Sequence, residues 1–178
     1  MTAEEKGLLG ARYYATTPLY PLNKTLANLN VDGGQMMGRS RDLEVIGHGN
    51  STIDEIALRF LQQKNRTLVP DTEPEKGYFY RSDHFEFAKE GVPAFYPKAG
   101  KEIIGQPPGY GKQRGDEYRN IDYHKVTDEV KPWWHFDGAA EDTQLLIDIG
   151  REIANATRWP EWKPGTEFKV KRDAMLRR

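Results

Sequence analysis

Apolar residues recur along the chain at two spacings, and those spacings predict its elements. Ile53, Ile56, Ala57, Phe60 and Leu61 fall at i, i+3, i+4, i+7 and i+8. That is the stripe of a helix with one face to a core, and it predicts a helix over residues 51–65. Ser51 and Asp54 stand where a capping box would, with Asp replacing the usual Glu. Leu146, Ile147, Gly150, Ile153 and Ala154 predict a second long helix over 137–156. A third is expected over 4–16, with Leu8, Leu9, Arg12, Tyr13 and Ala15 on a broad face and Pro18 and Pro21 as its stop. A short fourth helix is expected over 82–90, capped by Ser82 and closed by Gly91.

The other spacing is alternation. Leu29 and Val31 alternate with Asn28 and Asn30 before Gly33-Gly34, which predicts a strand over 25–32 with Asp32 at its carboxyl edge. Further strands are expected over 43–47, 66–69 and 92–96. Strands alternating with helices indicate an α/β fold with a largely parallel sheet. Residues 98–122 carry five glycines and two prolines and read as a long loop, of a kind that is often functional. Trp159, Trp162 and Phe168 predict that the tail packs back on the body. Trp133 and Trp134 read as packing, and Lys169, Lys171, Arg172, Arg177 and Arg178 as a solvated charged end.

Composition narrows the function classes. A chain of 178 residues suits one domain, and neither a repeat nor a second domain is visible. A net charge of −1 offers no electrostatic case for nucleic acid or an anionic membrane. The absence of cysteine excludes disulfides, thiolate metal sites and a cysteine nucleophile. No run approaches the roughly 18 apolar residues of a membrane span.

The residues able to carry chemistry are Glu4, Glu5, Asp32, Asp83, His84 and His124, all expected in or beside loops. Carboxylate oxygen and imidazole nitrogen are the ligands of catalytic zinc. Neighbours on a helix point about 100° apart, so Glu4 and Glu5 would divide two tasks, one binding a metal and one facing the metal's water as base. A metal lowers the pKa of its water towards about 7, which lets a carboxylate take the proton. Each residue also has a plain reading. Acids are common in a first helical turn, Asp32 before two glycines is a turn residue, and a lone His124 is structural.

Four segments in order change that balance. Residues 2–15 around Glu4-Glu5 resemble the Glu-Glu segment of the di-zinc aminopeptidases of clan MH, a group that also holds glutamate carboxypeptidase. Asn28 to Asp32 resembles the family's next metal-binding strand, Tyr80-Arg81-Ser82-Asp83-His84-Phe85 with Gly91-Val92-Pro93-Ala94 its substrate-pocket segment, and Tyr123 to Asp128 its last ligand segment. The resemblance implies a three-layer α/β/α fold and a zinc-dependent exopeptidase, in the first place an aminopeptidase, acting on peptides. It implies Glu4 as general base, Glu5 and His124 as ligands of one zinc, and Asp32 as a ligand of the second. It further implies Tyr80, Ser82, Asp83, His84 and Tyr123 around the substrate, and Asp128 as an acid supporting the ligand loop. Full-length relatives are often exported.

The same comparison marks a departure. The family's His-x-Asp motif, whose Asp bridges the two metals, precedes the Glu-Glu pair, and His48 and His135 lie in no matching context. The expectation is therefore the C-terminal part of a catalytic domain over 1–178, with a tail from about 157. Such a part would be inactive alone, leave a sheet edge uncovered, and need its N-terminal portion or another chain as partner. The competing expectation is a peptidase-like domain that serves binding or assembly without catalysis.

Overall fold

The computed structural model describes residues 1–177. Four strands form one mixed sheet: β1 (Asn28–Leu29), β2 (Asp42–Ile46), β3 (Thr67–Pro70) and β4 (Ala94–Lys98). Their order is β1-β4-β2-β3. β1 runs parallel to β4 and β2 parallel to β3, while β2 and β4 are antiparallel. β1 and β3 are thus the sheet's two edges.

Alternation along the inner strands separates two layers. Leu43, Val45 and Phe95 point into a core with Ile53, Ala57 and Leu61 of α2 (Ile53–Gln63) and Leu145, Ile149 and Ile153 of α5 (Asp137–Asn155). On the other face lie α1 (Leu9–Thr16) and α3 (His84–Lys89), joined through Ala11, Leu22, Phe87 and Val92. The architecture is α/β, with helices on both faces of the sheet.

Several elements differ from the sequence expectation, each for a local reason. The helix expected over 4–16 is broken. Glu4–Lys6 form a single 3-10 turn, Gly7 and Leu8 take left-handed backbone angles (φ 89° and 59°), and α1 begins only at Leu9. The break turns Leu8, Ala11 and Ala15 inward and leaves Leu9 and Tyr13 exposed. At α2, Thr52 rather than Ser51 takes the capping position. The Ser51 hydroxyl instead accepts the Ile53 N–H, and Asp54 reaches back to the Gly49 N–H at 2.6 Å. Asp83 likewise takes the position expected of Ser82 at the start of α3. In α5 the buried stripe is Leu145, Ile149 and Ile153, with Ile147 exposed.

The expected loop over 98–122 contains α4 (Tyr110–Ile121). Its glycines hid it. Gly111 is needed because a β-carbon there would run into the Lys101 carbonyl. The helix is supported less by apolar periodicity than by charge pairs, Lys112–Asp116 at 2.7 Å and Arg114–Glu117 at 2.9 Å.

The tail does pack back. Trp162 is buried beside Phe168, and its indole N–H donates to the Gly91 carbonyl at 3.0 Å. The segment ends in α6 (Lys169–Leu176). Arg172 corrects the picture of a solvated end. It is buried, and its guanidinium donates to the Leu22 and Thr25 carbonyls at 3.0 and 2.9 Å.

Candidate active site

The 3-10 turn at the N-terminus sets Glu4 and Glu5 on different sides, since successive residues of such a turn point about 120° apart. Glu5 is exposed and meets His124, 119 positions along the chain, with Oε1 to Nε2 at 2.9 Å. His124 is held there by a left-handed backbone (φ 60°) and by stacking on the Tyr123 ring, centroids 3.8 Å apart. Glu4 is half-buried. Burial, then the charges of Asp32, Glu5 and Asp83, push its carboxyl above the usual range, against a smaller opposing effect of His124. Glu4, Glu5, Asp32, Asp83 and His124 therefore share one electrostatic neighbourhood.

Asp32 stands just past the carboxyl end of β1, the edge at which open α/β sheets bind ligands. Its Oδ2 accepts two hydrogen bonds, from the Ser82 hydroxyl at 2.8 Å and the Tyr96 phenol at 3.1 Å. Ser82 in turn accepts from the Asn30 side chain at 2.9 Å. These partners fix the carboxylate while leaving Asp32 exposed to solvent. Burial and the charge of Asp32 hold the Tyr96 phenol far above its ordinary pKa, so it remains a donor. Neither Asn30 nor Tyr96 was singled out in the sequence. Asn30 directly follows β1 and Tyr96 lies mid-way along the neighbouring parallel strand β4, and that adjacency across the sheet is the signal that would have found them.

The other expected residues distribute themselves around this group. Tyr80 is exposed and sits edge-on to Phe79 and Phe85. Tyr123 is exposed beside His124. Asp83 is buried, with Oδ2 2.9 Å from the α-amine of Met1. Asp128 accepts the Tyr118 phenol. His84 has no exposed surface and lies between the Phe79 and Tyr96 rings, with both ring nitrogens buried and unpartnered. As folded it backs the site and presents no atom to a substrate.

Burial lowers the His84 pKa from 6.5 to about 4, against a smaller opposing pull from Asp32. The imidazole is therefore neutral in the folded chain at pH 6, while the unfolded chain already takes up its proton. Stability is full above about pH 6.5 and falls as pH drops towards 4, by roughly 3 kcal/mol in all. Urea unfolding followed from pH 7.5 to 4.5 should show this loss, and His84→Phe should flatten the slope across that window. An unchanged slope in the variant would assign the acid sensitivity elsewhere.

Carboxylates and an imidazole thus gather beside the carboxyl end of β1, where open α/β sheets bind ligands. The profile of Peptidase family M28 matches residues 1–141. The chain belongs to this family, and its class of chemistry is peptide-bond hydrolysis. Comparisons with curated proteins and with solved structures return no match.

Zinc is the metal generally associated with the family, and the donors here fit it in part. Glu5 and His124 supply one oxygen and one nitrogen at touching distance, the ligand types that zinc takes. Among the described residues, however, no three His, Asp or Glu side chains converge closely enough to hold one ion.

Proposed function

We propose that the chain carries part of the site of a zinc-dependent exopeptidase acting as an aminopeptidase. Glu5 and His124 would hold one zinc, Asp32 would serve the second, and Glu4 would take the proton from the attacking water. The observation that carries this reading is the 2.9 Å approach of Glu5 to His124. Two exposed side chains from distant parts of the chain meet there without a core to drive them together. Zinc, when bound, supplies a Lewis acid that polarises the peptide carbonyl and makes water acidic enough to react near neutral pH.

The chain's own residues do the rest. Ser82 and Tyr96 orient Asp32 through their hydroxyl donors. Tyr80 and Tyr123 are the exposed aromatic surfaces available to a substrate side chain. Catalytic zinc usually takes three protein ligands, so two donors at one ion support weak metal uptake and little turnover. Donors from the family's His-x-Asp segment would complete the set.

Zinc titration of the chain, alone and joined to such a segment, tests this. Uptake should be weak alone and strong when joined, and Glu5→Ala and His124→Ala should each reduce it sharply. Uptake indifferent to both substitutions, or absent from a folded joined protein, sinks the reading.

A further inference from the structure

We infer that Tyr118 is a positioning residue for His124, acting through a clasp on the loop that carries it. The inference rests on the reading of His124 as a zinc ligand. Tyr118 grips the chain on both sides of that residue. Upstream, its carbonyl accepts the Asp122 and Tyr123 N–H groups, each at 2.9 Å. Downstream, its phenol reaches the Asp128 carboxylate, 3.0 Å from Oδ1 and 2.9 Å from Oδ2. Lys131 closes the same loop from its far end, 2.9 Å from Asp122.

Such a clasp matters because the loop has no apolar anchor, and its other ties are short-range turns and the lysine contacts of Lys125 and Lys131. Val126 is 96% exposed and Val130 is 72% exposed, so apolar burial contributes little there. His124 also adopts a left-handed backbone, φ 60°. That conformation is unfavourable for a residue with a side chain and persists only where the surroundings over-determine it. The Tyr118 ring supplies the platform as well, edge-on to Trp134 at 6.2 Å and tilted against Tyr123 at 5.9 Å. Tyr123 in turn carries the stacked His124 ring. Burial and Asp128 push the Tyr118 pKa up to about 12, which keeps the phenol a donor.

Tyr118→Phe removes the donor and keeps the ring. In metal-free protein it should abolish the ring-to-ring nuclear Overhauser contact of His124 with Tyr123. It should also speed amide exchange at Lys125 and Asp128 by about 10-fold, with the α2 and α5 amides unchanged. Zinc affinity should fall about 10- to 100-fold, the usual effect of losing a group that orients a ligand. Asp128→Ala should do the same, and neither change should weaken zinc binding further in a His124→Ala background.

An unaltered ring contact and loop exchange in Tyr118→Phe overturns the inference. So does a loss of zinc affinity of equal size with and without His124, which would mean a general structural effect. If the unsubstituted chain takes up no zinc even when joined to the His-x-Asp segment, the ligand reading falls. The ring contact in metal-free protein then supports or overturns the clasp by itself.

Discussion

Glu4→Gln is expected to cut peptide turnover by about 10²- to 10⁴-fold, the usual contribution of a general base, while leaving zinc uptake unchanged. Glutamine keeps the shape of the side chain and cannot accept a proton as a carboxylate does. Glu4 and Glu5 make a sharp contrast for such a test. Glu5 is turned outward to His124, whereas Glu4 is half-buried among the charges of Asp32, Glu5 and Asp83. The 3-10 turn is what separates the two directions. The measurement is hydrolysis of an aminoacyl-anilide by the chain joined to the family's His-x-Asp segment, with bound zinc determined on the same samples. Turnover retained to more than a tenth in Glu4→Gln would remove Glu4 from the role of base. Loss of zinc together with turnover would instead make Glu4 a ligand.

Trp162→Ala should destabilise the chain by roughly 3–5 kcal/mol, the range for emptying a buried aromatic position. Trp162 is 1% exposed and packs with Ala88 and Phe168 against the partly buried Phe79, Phe85 and Ala94. Its indole also donates to the Gly91 carbonyl, at the turn that leads from α3 to β4. The same turn is pressed against α6. Gly91 has φ 91°, and a β-carbon there would lie 2.8 Å from the Arg172 backbone nitrogen. The tail thus holds together the segment that carries Ser82 and His84 and the strand that carries Tyr96. Urea unfolding gives the measurement, and Trp162→Phe should lose markedly less because it keeps most of the ring. A loss below about 1 kcal/mol for the alanine variant would mean that the tail is not part of the cooperative fold.

This dependence bears on how the family relationship is to be read. The matched region ends at residue 141, within α5. Leu145, Ile149 and Ile153 nevertheless complete the main core, and Trp162 and Arg172 anchor the opposite layer. The part of the chain beyond the match is therefore structural support for the part within it.

Much of the fold was legible in local pattern. The helix around Ile53 to Leu61, the strand around Leu43 to Ile46 and the α/β alternation follow from side-chain periodicity, because burial of one face is what makes those segments fold. Less legible were elements whose stability comes from elsewhere. α4 is built on charge pairs and on a glycine required by the Lys101 backbone, so its composition reads as a loop. α6 and the buried Arg172 depend on the Leu22 and Thr25 carbonyls, some 150 residues away, which no local pattern reveals.

The site divides in the same way. Residue types and their order along the chain determined the candidates, Glu4, Glu5, Asp32 and His124, because metal and proton chemistry demands carboxylates and imidazoles. Only the tertiary structure decided their relations. It broke the expected first helix at Gly7-Leu8, separating the directions of Glu4 and Glu5. It brought Glu5 to His124, gave Asp32 its Ser82 and Tyr96 donors, and buried His84 out of reach. The physical reason is range. Helical and strand periodicity is a property of neighbouring residues, whereas the approach of Glu5 to His124 exists only once the sheet and the loop clasped by Tyr118 have fixed both ends in space.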